Sequence, residues 1–394
     1  MKVTASCSFR TRNARGFSLI ELLIGVVIGL VGLLAIFQVV TAWDSHNRTT
    51  TAGGDADVGG TLAMFSLERD IKQAGLGMRP TLGTQFNCNN ADIEVNDTAG
   101  TAGPIKFRPI EILTGAAGSP DSIRVFYGDT SFMPSPEPFS LSTATTKTIT
   151  PNRYGFKPGD LVIVTGQPSE PCALVEITAG ATSGGVVTHG TGNYTAFYPG
   201  ASASSVAARF NGTAGTTASF GSGNMYNLGP APQFNSWAIA SPGVLRRTEL
   251  IFGGGNAVDV SEGVINMKAQ YGIDGLTGTP DQIIGTAEWT PNAPTTGNWN
   301  NVLAVRVAIL VRSKQWERSA TGSASGVPTG VTLAAPQPSW ANCASPATCG
   351  GFAMTNVDGT PDTFGPNDAD PNNWRYYRYR VYEKVIPLRN LIWG

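Results

Sequence analysis

The chain has 394 residues, 27 of them Lys or Arg and 28 Asp or Glu, for a formal net charge of −1. A balance so close to neutral argues against a general polyanion-binding surface, although a local patch is still allowed. With 48 glycines and only 14% charged residues, the composition suits a β-rich, loop-rich exported protein with one large or two ordinary domains beyond its N-terminal segment.

Residues 1–16 form a basic leader that contains Lys2, Arg10, Arg12 and Arg15 and no acidic residue. The chain beyond it holds 23 basic against 28 acidic residues, a net charge of −5. A basic flank ahead of an apolar helix stays in the cytoplasm. The apolar run from Phe17 to Val40 is 24 residues, about 36 Å of helix and enough to cross a bilayer. A secretory signal has a shorter apolar core followed by a small-residue cleavage site. Here Thr41-Ala42-Trp43-Asp44 follows instead, so processing is expected before the run and not after it. Within the run stands one charged residue, Glu21. A carboxylate there costs roughly 2.5–3.5 kcal/mol on insertion scales, so it calls for a partner.

Gly16-Phe17-Ser18-Leu19-Ile20-Glu21 resembles the processing site of type IV prepilins. The resemblance implies that a prepilin peptidase cleaves between Gly16 and Phe17 and N-methylates Phe17. It also implies that Glu21 pairs with the terminal amine of a neighbouring subunit, and a buried charge is tolerable when paired. Gly25-x-x-x-Gly29 permits close helix contact. Many major pilins carry a proline late in this segment, where this chain has Gln38.

Trp43 marks the outer membrane boundary, so residues 17–43 read as a transmembrane and assembly helix. Residues 44–79 read as a stalk whose pattern weakens at Gly53-Gly54 and Gly59-Gly60, allowing an interruption near 53–60. Met64, Leu67, Ile71, Ala74 and Met78 then fall on one helix face, with Glu68, Arg69, Asp70 and Lys72 read as largely off it. Gly75, Gly77 and Pro80 end the helix. From residue 80 to 394 the period becomes two. The strands expected are Ser122–Tyr127, Leu161–Thr165, Ala173–Thr178, Leu245–Phe252, Val264–Tyr271, Val302–Arg312 and Tyr376–Ile386. Residues 179–229 are Gly/Ser/Thr-rich and read as irregular β-structure or a mobile insertion. A second loop runs from about 319 to 351. The fold class expected is α+β and pilin-like: one long N-terminal helix, anchor plus stalk, packed on a large antiparallel β-sheet head.

Beyond Cys7 of the leader, four cysteines remain: Cys88, Cys172, Cys343 and Cys349. Three connectivities are possible. Proximity favours Cys343–Cys349, which leaves Cys88–Cys172 as a long-range staple in an oxidising compartment.

Leu67-Glu68-Arg69-Asp70-Ile71-Lys72-Gln73-Ala74-Gly75 is similar to the helix end of PilW-type minor pilins and J-type pseudopilins. Gln270-Tyr271-Gly272-Ile273-Asp274 resembles the PilW "QYG-x-D" strand, Trp299 with Val302–Ser313 its next strand, and Leu388-Arg389-Asn390 its ending. This resemblance implies a structural minor pilin that helps initiate type IV pilus assembly at or near the filament tip. Its partners would be other minor pilins, the major pilin, the prepilin peptidase, the inner-membrane assembly platform and a tip adhesin. Before assembly it would lie in the inner membrane with its head in the periplasm, and afterwards on the cell surface. A type II secretion pseudopilin shares the N-terminal features, but the long head and the QYG-x-D strand weigh against it. A tip receptor for DNA or surfaces, acting through residues 179–229 or 375–380, is a reading of another class.

The chemistry of an enzyme is sparse. His46 and His189 are the only histidines, both read as exposed, and no Gly-x-Ser-x-Gly elbow accompanies them. Gly253-Gly254-Gly255 lacks the lysine of a phosphate loop. Asp368, Asp370 and Asn372 alternate like the start of a calcium loop, but Asn373 and Tyr379 stand where glycine and glutamate belong. A solvated loop is the preferred reading, and similar caution applies to Asp274 and Asp281. Arg375-Tyr376-Tyr377-Arg378-Tyr379-Arg380 mixes basic and aromatic groups, but its alternation is that of a two-faced strand. No cofactor and no nucleic-acid partner are expected.

Overall fold

The computed structural model describes residues 18–78, 88, 92–100, 102, 105–130, 135–149, 155–166, 170, 172–198, 205–212, 220–240, 243–253, 256–294, 299–316, 336–341, 351–364 and 370–392. The leader, Phe17, Asp368 and the Cys343–Cys349 pair lie outside them. The chain divides into two compact units, one ending at Thr51 and one beginning at Ala52. A single helix, α1 (Leu19–Ile71), passes from the first into the second. The helix runs without the interruption that the sequence allowed near 53–60, and of the glycines there Gly59 and Gly60 serve close packing, as described below.

In the N-terminal unit, the part of the helix from Leu19 to Asp44 is long and apolar enough to cross a membrane, and its apolar side chains are exposed. Thr41 donates its hydroxyl to the carbonyls of Phe37 and Gln38, and Thr50 to that of His46. Such local bonds let hydroxyls sit inside a helix without an outside partner.

The second unit holds nineteen strands among the described residues. The first six are β1 (Asp92–Val95), β2 (Ile105–Lys106), β3 (Ile110–Leu113), β4 (Ser122–Tyr127), β5 (Glu137–Ser142) and β6 (Thr146–Ile149). Then come β7 (Leu161–Thr165), β8 (Cys172–Glu176), β9 (Val186–Thr188), β10 (Asn193–Tyr194), β11 (Val206–Ala207), β12 (Gly223–Gly229) and β13 (Gln233–Ala240). The last are β14 (Val244–Glu249), β15 (Ala257–Glu262), β16 (Val264–Ile273), β17 (Trp289–Thr290), β18 (Val302–Arg312) and β19 (Tyr379–Pro387), closed by the short helix α2 (Arg389–Ile392).

These strands divide into an eight-stranded sheet (β2-β1-β8-β7-β12-β5-β6-β9), a five-stranded sheet (β15-β14-β13-β4-β3) and a four-stranded sheet (β17-β16-β18-β19), plus the β10-β11 pair. Every strand pair is antiparallel except β1 with β8. The head is therefore several sheets and not one, because its apolar strands bury both faces. In β7, Leu161 and Ile163 face the main core with Leu67, Phe126 and Trp237, while Val162 and Val164 face a second cluster with Phe156, Val175 and Phe220. A strand covered on both sides reads as a continuous apolar run. Each fully buried Leu, Ile or Phe contributes about 1.5–3 kcal/mol.

Some strand ends differ from expectation for local reasons. Strand β14 stops at Glu249 because that carboxylate accepts the backbone N–H groups of Ile251, Phe252 and Gly253 and turns the chain. Strand β19 starts at Tyr379, since Asn373 caps a 3-10 turn at Trp374–Tyr376. Cys88 and Cys172 are disulfide-bonded, with Cα atoms 5.1 Å apart and 84 residues between them in sequence. Closing a loop of that length constrains the unfolded chain by about 4–5 kcal/mol in the entropic account.

Candidate functional site: the helix and its docking face

From Ala52 onward the helix has two unlike faces. One is docked: Ala56, Ala63, Met64, Leu67 and Ile71, with Ala74 and Met78 just beyond, are buried in the main core. The helix approaches closely at Gly59 and Gly60. The Gly59 carbonyl accepts the Ser261 hydroxyl at 2.9 Å, and the Tyr382 ring fills the space a Cβ at Gly60 would need. The Tyr382 hydroxyl donates to Asp57 at 2.7 Å, and Arg380 pairs with the same carboxylate at 2.9 Å. Gly60→Ala should therefore displace Tyr382 and destabilise the head by about 1–3 kcal/mol, the usual cost of overpacking. Gly54→Ala, with open space around the added carbon, should not; urea unfolding of the two variants side by side checks this.

The reading of Asp70 as largely off the buried stripe is corrected. Only 5% of it is exposed. Its carboxylate accepts from the Tyr127 hydroxyl at 2.7 Å, the Trp237 Nε1 at 2.6 Å and the Asn235 Nδ2 at 3.1 Å. Three donors from two strands, β4 and β13, thus converge on one helix carboxylate. Burial, and then the Asp70 charge, push the Tyr127 phenol far above its ordinary pKa. A sequence signal existed: Asp70 lies three residues after Leu67 and four before Ala74, within the buried stripe. One residue pair away, Glu68 bridges Lys384 and Lys72, each at 2.6 Å. The Lys384 hydrogen bond foremost holds the Glu68 carboxyl below its usual value. The Asn390 amide donates to the carbonyls of Gln73 and Ala74 and so occupies acceptors in the turn that follows α1.

The other face is apolar and uncovered. Val58, Leu62 and Phe65 are 70%, 48% and 62% exposed, and their spacing of four and three residues places them on one stripe. With Asp57 and Thr61 they line an open hollow of about 570 Å³. In the first unit Glu21 has no hydrogen-bonding or ionic side-chain partner among the described residues.

The QYG-x-D strand resolves into separate structural duties. Gln270 accepts from the Arg306 guanidinium, at 2.8 Å from Nε. Tyr271 is fully buried against Trp299 and accepts the Ile112 N–H at 2.6 Å. Gly272 leaves room for the Trp289 ring, which a Cβ would meet at 2.9 Å. Asp274 accepts the N–H groups of Asp281 and Gln282 at 2.9 and 2.8 Å, so both acids that bracket this turn belong to its hydrogen bonding. Two residues before Gln270, Lys268 forms a buried ion pair with Asp121 at 2.8 Å.

His46 is exposed, but the reading of His189 as exposed is corrected. It is fully buried in the head, with Nε2 2.9 Å from the Lys147 Nζ. Lys147, 1% exposed, also donates to the Thr143 carbonyl and lies near the Phe139 and Phe220 rings. Among the described residues no carboxylate pairs with it. Burial lowers its pKa to about 8. Burial, then the Lys147 charge, lowers that of His189 to about 3. The ammonium can only donate, so Nε2 accepts and the imidazole proton sits on Nδ1.

The described parts of residues 179–229 are tied to β7 and β8. Asp160 accepts from Tyr198, and Glu176 accepts from Tyr194 and the backbone N–H groups of Arg209 and Phe210. Asn211 bonds both the N–H and the carbonyl of Glu176. Of the calcium candidates, Asp370 caps the Asn372 N–H, and the Asn372 side chain exchanges bonds with Asp358. Among the described residues no group of three or more His, Cys, Asp or Glu could hold a metal ion. The basic and aromatic run at 375–380 is not one strand: Tyr376 and Tyr377 are buried, and Arg375 pairs with Asp362 at 2.8 Å.

An exposed apolar N-terminal helix segment and a docked helix beside antiparallel sheets are the architecture expected of a type IV prepilin. The model of the prokaryotic N-terminal methylation motif matches residues 11–37. The model of the type IV pilus-assembly protein W matches residues 238–390, from the end of β13 through the QYG-x-D strand to Asn390. Over the second stretch the chain is PilW-like, and together the two support a minor pilin of the type IV prepilin superfamily. No curated protein and no solved structure matches the chain. Its family is structural and associates with other pilus components, and the motif with the apolar helix makes it membrane-anchored.

Proposed function

We propose that this minor pilin helps initiate pilus assembly together with other minor pilins and stays at or near the filament tip, where it supports an adhesin. The observation that carries the reading is the division of the helix from Ala52 onward: one face is bound to the head, and the stripe Val58, Leu62 and Phe65 is apolar and uncovered. A contiguous apolar stripe left uncovered on a helix is a surface that association with another subunit would bury. In the proposal the prepilin peptidase cleaves between Gly16 and Phe17 and methylates Phe17, and Glu21 then pairs with the amine of an adjacent subunit. The head lies in the periplasm until the assembly platform and the major pilin extend the filament.

Mass spectrometry of the mature N-terminus tests the first step. In peptidase-positive cells the chain should begin at a methylated Phe17, and in peptidase-negative cells at Met1; a Met1 start in both overturns the reading. Glu21→Ala should leave processing and head stability intact while abolishing piliation in cells that depend on this subunit.

A further inference from the structure

Three side chains form a row across the outer face of the four-stranded sheet. Gln270 on β16 pairs in register with Arg306 on β18, and Arg306 with Val385 on β19. Directly opposed residues project to the same face. The Arg306 guanidinium packs near two indoles, 4.8 Å from the Trp289 ring and 4.5 Å from Trp340. Gln270 accepts from its Nε and Nη2. Among the described residues no carboxylate forms an ion pair with it: Glu383, on the same face, acts on it only at a distance and is engaged by the N–H and hydroxyl of Ser339. The Nη1 group has no partner among the described residues, and Arg306 is only partly buried. Beside it Val385 is 56% exposed.

We propose that the row Gln270, Arg306 and Val385, flanked by Trp289 and Trp340, is a docking site for a carboxylate on a short hydrocarbon arm, supplied by an acidic side chain of another pilus subunit. Two indoles pack near the planar guanidinium, its Nε and one Nη2 proton are taken by Gln270, and the remaining donors can make the paired bonds by which arginine recognises a carboxylate. Burial lowers the Arg306 pKa to about 10, the sign of a partly desolvated cation that an anion would compensate. Tryptophan and arginine are also enriched in interface hot spots. The identity of the partner as a pilus subunit rests on the proposed function; the carboxylate site itself does not.

The test uses the full chain in detergent, with tryptophan fluorescence titrated by a hexaglutamate peptide, by hexalysine and by inorganic phosphate at low salt. Hexaglutamate should give a saturable change, and phosphate should bind at least tenfold more weakly. The net charge of −5 beyond the leader disfavours diffuse attraction of a polyanion. Arg306→Gln should weaken hexaglutamate at least tenfold. So should Val385→Glu, which places a carboxylate opposite Arg306 at an exposed position where folding is retained. No saturable change, equal affinity for phosphate, or unaltered binding in Val385→Glu overturns the proposal. None of these outcomes bears on the mature N-terminus, so failure here is separable from failure of the pilin reading.

Discussion

Asp70→Ala is expected to lower the unfolding free energy of the head by about 3–5 kcal/mol, the range for removing one member of a buried charged network. The Tyr127 hydroxyl, Trp237 Nε1 and Asn235 Nδ2 all aim at this carboxylate, and the substitution leaves them buried without an acceptor. Each hydrogen bond to a charged group is worth about 1.5–3 kcal/mol, but the three share one group and do not add. Asp70→Asn should cost less than Ala, because one amide oxygen still accepts while the amide nitrogen faces donors. Asp259→Ala is the control. Its partner Arg246 sits on an exposed strand face, and surface pairs contribute little. Guanidinium unfolding followed by tryptophan fluorescence reads all three. A midpoint for Asp70→Ala equal to that of Asp259→Ala would mean the clasp does not hold the helix to β4 and β13. Where the clasp fails, piliation should fail with it even though Glu21 is intact.

Acid should destabilise the head through His189. Its folded pKa is depressed to about 3 from an ordinary 6.5, so the folded state stays neutral while the unfolded chain takes up a proton. The stability is fully present above pH 6.5 and is lost as pH falls from there toward 3. The slope approaches about 1.4 kcal/mol per pH unit, roughly 2 kcal/mol by pH 5 and 4–5 kcal/mol in all. Lys147 adds a second rise on the alkaline side. Its folded pKa of about 8 lies below the ordinary 10.5, so stability grows as pH is raised from 8 toward 10. His189→Gln keeps an acceptor for Lys147 and removes the acidic slope. Urea midpoints at pH 5, 6 and 7 test this, and parallel curves for the two proteins would exclude His189 as the source.

The N-terminal half of the function was readable because its residues are contiguous: a basic leader, Gly16, Phe17 and Glu21 sit within one stretch ahead of an apolar run. Ser122–Tyr127, Leu161–Thr165 and Val302–Arg312 were expected with the bounds the structure has. Leu161–Thr165 is buried throughout and reads as a nearly continuous apolar run, while the other two are apolar runs broken only at Arg124 and Arg306 inside the strand. Strand ends set by a side chain turning back on the backbone, as at Glu249 and Asn373, carry no periodic signal. The PilW-like motif was legible as a string of letters. Its physical content, Gln270 on Arg306, Tyr271 on Ile112 and Gly272 under Trp289, was not.

The sequence by itself determined what depends on neighbours in the chain: the apolar helix, the prepilin motif, and the class of the head. Only the tertiary structure decided which polar groups are buried. Asp70 meets Tyr127, Asn235 and Trp237 across 57, 165 and 167 residues, and His189 meets Lys147 across 42. A polar residue is placed by the partner that satisfies it, and no local period records a partner so far away. The same holds for Gly60, which reads as a helix weakness until Tyr382 is seen against it.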